Sequence, residues 1–193
     1  MDILLLGPPG AGKGTQGALL ARHLGIPKLA TGDLLRDAVA RGTALGLQAK
    51  AVMESGALVS DEIILGVVRE ELAKPSAARG VILDGVVRTI PQAQGVERIL
   101  RDSGRQVDRV LFFDVSDEEI LSRLEKRRTL EGRADDDPAA VKRRLEAYRS
   151  QTAPVLEWYE ARGGVTRIPA AGSVEDIAAR VRRAVEAQSS RVR

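Results

Sequence analysis

The feature that most constrains this chain is a short run near its start, Gly7-Pro8-Pro9-Gly10-Ala11-Gly12-Lys13-Gly14-Thr15. An apolar stretch, Asp2 to Leu6, leads into it, and a segment with Leu19, Leu20 and Leu24 at helical spacing follows it. A strand that passes through glycines into a helix lets successive backbone N–H groups curl inward toward an anion. The helix N-terminus adds partial positive charge, and Lys13 adds a full one. Such a loop is a phosphate cradle, and it predicts an α/β fold with its first strand buried. The general pattern has Ser or Thr directly after the lysine. Here Gly14 intervenes and the hydroxyl is Thr15.

The rest of the chain alternates between the two periodicities. Strand-like runs lie at Lys28 to Ala30, Gly80 to Asp84, Val107 to Val115 and Val165 to Ile168. Helical patterns run from Lys13 to Leu24 and from an N-cap at Thr31 through Ala40. After a turn bracketed by Gly42 and Gly46, another runs to about Glu54. Further helices open at Asp61, span Pro91 to Ser103, start from a cap at Asp117, run from Asp137-Pro138 to Gly163-Gly164, and cover Val174 onward, with a frayed tail from Gln188. Strands separated by helices predict a three-layer α/β/α fold around a central parallel sheet. The stretch 30–59 contains no strand pattern and reads as an insertion at the sheet edge. The polar, aperiodic stretch from Arg127 to Asp137 reads as a mobile loop.

Composition narrows the function classes. Aromatics are only 3% of 193 residues, so the core is aliphatic. There is no cysteine, which excludes disulfides and thiolate metal sites and fits a reducing cytoplasm. The apolar runs are strand-sized, short of the roughly 20 residues that span a bilayer. A net charge of +3 is compatible with nucleic acid or a small polyanion. The two Phe residues sit together in the Val107 to Val115 strand, which leaves no aromatic platform for RNA bases.

Three further segments carry chemistry. In Leu29-Ala30-Thr31-Gly32-Asp33-Leu34-Leu35-Arg36, Arg36 lies about one helical turn beyond Thr31, so both can reach one ligand. An arginine fork suits a phosphate; a capping Thr and a surface Arg are the plain alternative. In Leu83-Asp84-Gly85-Val86-Val87-Arg88-Thr89, Asp84 is a carboxylate at a strand end beside the phosphate loop, where a Mg²⁺ shell is expected. Arg123, Arg127, Arg128, Arg133 and Arg144 cluster around the polar stretch, as clamps on phosphates would.

With Gln16, the first loop reads GPPGAGKGTQ, and it resembles the adenylate kinases, a resemblance that continues over essentially the whole chain. It implies a P-loop core formed by 1–29, 60–125 and 138–193, an AMP-binding lobe at 30–59 and a short lid at 126–137. It implies reversible transfer from MgATP to AMP, giving two ADP, in adenine nucleotide homeostasis. By the same resemblance, Gly10, Ala11, Gly12, Lys13, Gly14, Thr15, Arg123, Arg127 and Gly172 bind ATP. AMP falls to Thr31, Arg36, Ala57, Leu58, Val59, Gly85, Val86, Val87, Arg88, Gln92, Arg133 and Arg144. Lys13, Arg88, Arg123, Arg133 and Arg144 act on the reacting phosphates, and Asp84 meets Mg²⁺ through bound water. Asp135 and Asp136 anchor a closed lid, or are simply acids at a helix start. Longer family members insert a lobe at the lid, sometimes with zinc; without cysteine and with His23 as the single, solvated histidine, no structural zinc is expected. The expected partners are ATP, AMP and ADP, with no nucleic acid and no membrane, for a cytoplasmic monomer.

Two departures stand out. Ala30 replaces the family's usual Ser, and Val86-Val87 stand where Phe-Pro is usual. Restoring Phe-Pro is expected to change stability by only about 0.4–1 kcal/mol. The acceptor phosphate is largely dianionic at neutral pH, so no general base is required. The rival readings are a UMP/CMP kinase of the same fold and a non-catalytic nucleotide sensor. Thr31 and Gln92 favour adenine over pyrimidines.

Overall fold

A computed structural model describes residues 1–54, 57–131 and 136–189. Five parallel strands form one sheet in the order β2-β3-β1-β4-β5. They are β1 (Ile3–Leu6), β2 (Lys28–Ala30), β3 (Ile82–Asp84), β4 (Arg109–Asp114) and β5 (Val165–Pro169). The helices are α1 (Lys13–Leu24), α2 (Thr31–Ala40), α3 (Ala44–Glu54), α4 (Asp61–Leu72), α5 (Ile90–Asp102), α6 (Asp117–Glu131), α7 (Pro138–Ala147), α8 (Ala153–Glu160) and α9 (Val174–Ser189).

Side-chain alternation along β1 explains the layering. Ile3 and Leu5 face one side and join Ile82, Leu111 and Phe113 beneath α1 and α9. Leu4 and Leu6 face the other and join Leu83, Val110 and Phe112 beneath α4, α5 and α8. A strand buried on both faces has to be apolar throughout, and all four residues of β1 are. A third, smaller cluster of Ile120, Leu124 and Val141 ties α6 to α7.

The chain leaves β1 and builds β2 and β3 on one side before crossing to β4 on the other. A ligand crevice opens outside the carboxyl ends of the strands where the order reverses. The loop after β1 and the end of β3 both lie there.

Several boundaries differ from expectation. Thr31 is the first residue of α2 rather than its cap; Ala30 holds the cap position with extended backbone, and the Thr31 hydroxyl is used elsewhere. At α6 the hydroxyl that accepts a first-turn N–H, from Glu119, belongs to Ser116, not to Asp117. α6 continues through Arg127 and Arg128 to Glu131, residues expected in a loop. The helix expected from Pro138 to Gly163 is interrupted by a π-helical turn, Tyr148–Thr152. Asp137 does cap α7, its carboxylate accepting from Ala139 N at 2.9 Å.

Candidate active site

The loop between β1 and α1 needs glycine at specific places. Gly12 caps α1 with φ +90°, a left-handed conformation that L side chains rarely adopt. Gly7 has φ +142°, and a Cβ there would lie 2.9 Å from the Phe113 carbonyl oxygen. The first N–H groups of α1 have no partner within the helix, and the residues that carry them, Lys13, Gly14 and Thr15, line the cleft. Lys13 folds back over the loop, its ammonium donating to the carbonyls of Gly7 at 2.7 Å and Pro8 at 2.8 Å. Burial lowers the Lys13 pKa to about 8; Asp84 pulls it upward, while Arg88, Arg144 and Arg127 push it further down. These long-range influences place Lys13 amid one carboxylate and three guanidiniums drawn from β3, the β3–α5 loop, α6 and α7.

The loop opens into a cleft of about 840 Å³. Its walls include Gly10, Ala11, Gly12, Lys13, Gly14, Thr15, Arg123, Arg127 and Gly172 from the expected ATP set. From the expected AMP set they include Thr31, Arg36, Ala57, Leu58, Val59, Gly85, Val87, Arg88, Gln92 and Arg144, and Asp84 joins them. Val86 does not line the cleft: its side chain is wholly buried in the apolar cluster that also holds Val87. Arg133, Asp135 and Gly56 lie outside the described residues.

Each group is held by a definite device. The Thr31 hydroxyl donates to the Gly85 carbonyl at 2.8 Å, and Arg88 Nε donates to the same oxygen at 3.1 Å, so the start of α2 is stitched to the loop after β3. Arg36 pairs with Asp33 at 2.5 Å. For Asp33, burial works against ionisation, but the Arg36 and Lys28 cations hold its carboxyl below the ordinary value. Arg123 donates to the carbonyls of Ala170, at 2.7 Å, and Ala11, at 3.4 Å, and pairs with Glu119. It thereby joins the phosphate loop to the loop after β5. Asp136 is buried and receives both Arg127 and Arg144.

Several residues at the site were not expected there. Lys28 projects from β2 with its ammonium 3.4 Å from the Gly14 carbonyl, 3.5 Å from Asp33 and 3.7 Å from Asp84. Thr152, in the π-turn, donates to the Arg88 carbonyl at 2.9 Å. Gln16 is buried and donates to the Val174 carbonyl at 2.9 Å, tying α1 to the start of α9. Arg180, on α9, donates to the carbonyls of Pro169 and Ala171 at 2.8 and 2.7 Å and shapes the loop carrying Gly172.

A phosphate cradle, a second wall of arginines and a carboxylate between them suit transfer of a phosphoryl group between two anions. Comparison with known proteins points the same way. A family model described as Adenylate kinase matches residues 5–164. An adenylate kinase of Gemmatimonas aurantiaca is 48% identical, over 94% of this chain and 97% of its own. One from Thermus thermophilus is 47% identical over 95% and 96%, and one from Stenotrophomonas maltophilia 45% over 96% and 100%.

Proposed function

This chain belongs to the adenylate kinase family, and from that premise we propose how its own residues carry the reaction. The activity is that of an ATP:AMP phosphotransferase, ATP + AMP ⇌ 2 ADP, of the nucleoside monophosphate kinase class. The pyrimidine-kinase and sensor alternatives are not favoured.

One observation supports the assignment of roles above all: the described residues of both nucleotide-facing sets, Val86 excepted, wall a single cleft that Lys13 also lines. ATP takes the loop from Gly10 to Thr15, Arg123, Arg127 and the Gly172 loop. AMP takes Thr31, Arg36, the 57–59 segment, the loop from Gly85 to Arg88, and Gln92. Lys13, Arg88, Arg123, Arg133 and Arg144 neutralise charge on the phosphoryl group in flight. Preorganised cations in a low-dielectric cleft stabilise that charge without reorganising during the reaction.

The donors around Asp84 suit Mg²⁺. Its carboxylate and the Thr15 hydroxyl are hard oxygen donors, and a cation, the Lys28 ammonium, already stands beside Asp84. Mg²⁺ is commonly held by one or two carboxylates together with substrate phosphates. Asp84 would hold the ion through water. Bound there, Mg²⁺ supplies neutralisation of the β- and γ-phosphates. Lys13 would exchange its bonds to Gly7 and Pro8 for phosphate oxygens.

The core of 1–29, 60–125 and 138–193 acts as the frame. The segments 30–59 and 126–137 close over AMP and ATP respectively, excluding water as a competing acceptor. No helix among the described residues is long and apolar enough to cross a membrane. We place the enzyme in the cytoplasm as a monomer acting on free nucleotides, without nucleic acid. A coupled assay with ATP and a panel of monophosphates tests the whole. AMP should surpass UMP, CMP and GMP in kcat/KM, and a panel won by CMP or UMP overturns the AMP assignment.

A further inference from the structure

Gln92 sits in the first turn of α5, buried, at the wall of the AMP side of the cleft. Its amide is held at both ends. Oε1 accepts from the Arg88 backbone N–H at 2.7 Å, and Nε2 donates to Asp61 Oδ1 at 2.8 Å. These partners have opposite and fixed characters. A backbone N–H can only donate, and an ionised carboxylate can only accept. Turning the amide over would set donor against donor at Arg88 and acceptor against acceptor at Asp61. The orientation of Gln92 is therefore dictated by its neighbours.

Asp61 is itself pinned. It opens α4, where a carboxylate is favoured by the helix N-terminus. Its Oδ1 also accepts from the Thr89 hydroxyl at 3.0 Å, and that same hydroxyl accepts from Gln92 N at 3.2 Å. One carboxylate oxygen thus fixes both the cap of α5 and the amide of its first turn.

We propose that Asp61 is a specificity-determining positioning residue: by holding the Gln92 amide in one orientation, it makes the AMP site select a 6-aminopurine over a 6-oxopurine. The inference rests on Gln92 facing the acceptor base. An amide carries two N–H groups and two lone pairs, and the two bonds described use one of each. One donor and one acceptor remain. Adenine offers the complementary pair on its Watson–Crick edge, the N6 amino donor and the N1 acceptor. Hypoxanthine offers the reverse, an O6 acceptor and an N1–H donor. A Gln92 free to turn could serve either base; one held as here serves adenine.

The test compares Asp61→Ala, Asp61→Asn and Gln92→Ala with the parent enzyme. AMP and IMP are acceptors, with ATP kinetics and the side-chain amide NMR signals of Gln92 as further readouts. Asp61→Ala should raise the AMP KM about tenfold, the scale of losing one hydrogen bond to a charged group. It should leave the ATP KM and kcat at saturating AMP unchanged, and it should shift the Gln92 amide signals. Asp61→Asn keeps the size of the side chain but can donate as well as accept. It should bind AMP with intermediate affinity and narrow the AMP:IMP preference, and it serves in place of the alanine variant if that one folds poorly. An unchanged AMP KM and AMP:IMP ratio in the Asp61 variants, while Gln92→Ala is impaired, overturns the role of Asp61. An equal loss toward ATP and AMP overturns it as well, since that marks a general structural defect. If Gln92→Ala itself keeps full AMP affinity, the placement of Gln92 at the base is what fails.

Discussion

Arg127 grips Asp136 with two prongs: Nε lies 2.5 Å from Oδ2 while Nη2 meets Oδ1. Arg144 reaches the same Oδ1 at 2.9 Å, so a single fully buried carboxylate gathers one arginine from α6 and one from α7. Both arginines line the cleft, and both are felt by Lys13. Asp136 thus holds the two guanidiniums together at the cleft wall.

Asp136→Ala should therefore damage both folding and nucleotide use. Both arginines are partly exposed, so the stability loss should be about 1–3 kcal/mol, between the values for surface and buried pairs. Burial acts against the ionised form, but Arg127 and then Arg144 outweigh it and hold the carboxyl below its ordinary value of 3.8. A depressed acid stabilises the fold in full above its unfolded value and loses that contribution as pH falls through the folded one. The parent should lose stability below pH 3.8 more steeply than Asp136→Ala, as chemical denaturation across that range would read.

Lys13→Ala should keep the fold and lose turnover. Removing one main charge stabiliser costs roughly 10²–10³ in rate. Circular dichroism and steady-state kinetics on the same sample decide it; near-parent kcat would exclude Lys13 from the transfer.

The lowered Lys13 pKa also gives a pH signature. The ammonium is charged below about pH 8 and neutral above it, and a bound polyphosphate raises the value again. ATP affinity should fall as pH rises through 8, and binding between pH 8 and the ordinary lysine value of 10.5 should take up a proton. For the nucleotide-free protein the sign is opposite. The buried charge costs stability below pH 8, and that cost is relieved as pH rises toward 10.5. Calorimetry in buffers of different ionisation heat measures the proton uptake.

Val86 is wholly buried, which changes what restoring Phe-Pro should do. Adding an aromatic ring to a filled site forces neighbours to shift, at about 1–3 kcal/mol. Val86→Phe should be less stable than the parent in a denaturant melt, against the smaller change expected from the backbone effect of proline alone. Activity should stay within about an order of magnitude, because Arg88 is held by Gly85 and Thr152 and not by Val86.

The legible parts of this molecule were those written in local pattern. The loop at Gly7 to Thr15, the limits of α1 and β2, and the Asp137 cap of α7 each depend on neighbours a few residues away. The expected loop begins at Arg127 because the stretch from Arg127 to Asp137 is polar and without helical periodicity. Yet Lys, Arg, Leu and Glu are strong helix formers, and propensity carries the helix on. The positioning devices were hidden for another reason. Thr31 finds Gly85 across 54 positions, Gln92 finds Asp61 across 31, and Thr152 finds Arg88 across 64. Only the sheet topology brings those pairs together.

The π-turn at Tyr148–Thr152 has an effect on the rod that contains it. Each residue of an α-helix advances the azimuth by about 100°, and a π-turn holds one residue more than the α-helical turn it replaces. Before it, Val141 and Leu145 of α7 face Ile120 and Leu124 of α6; after it, Val155 and Tyr159 of α8 face the sheet cluster. The turn works as a phase shifter. It lets one continuous rod lean on two separate apolar surfaces, so that the arginine-bearing half can follow α6 while the other half stays seated on the sheet.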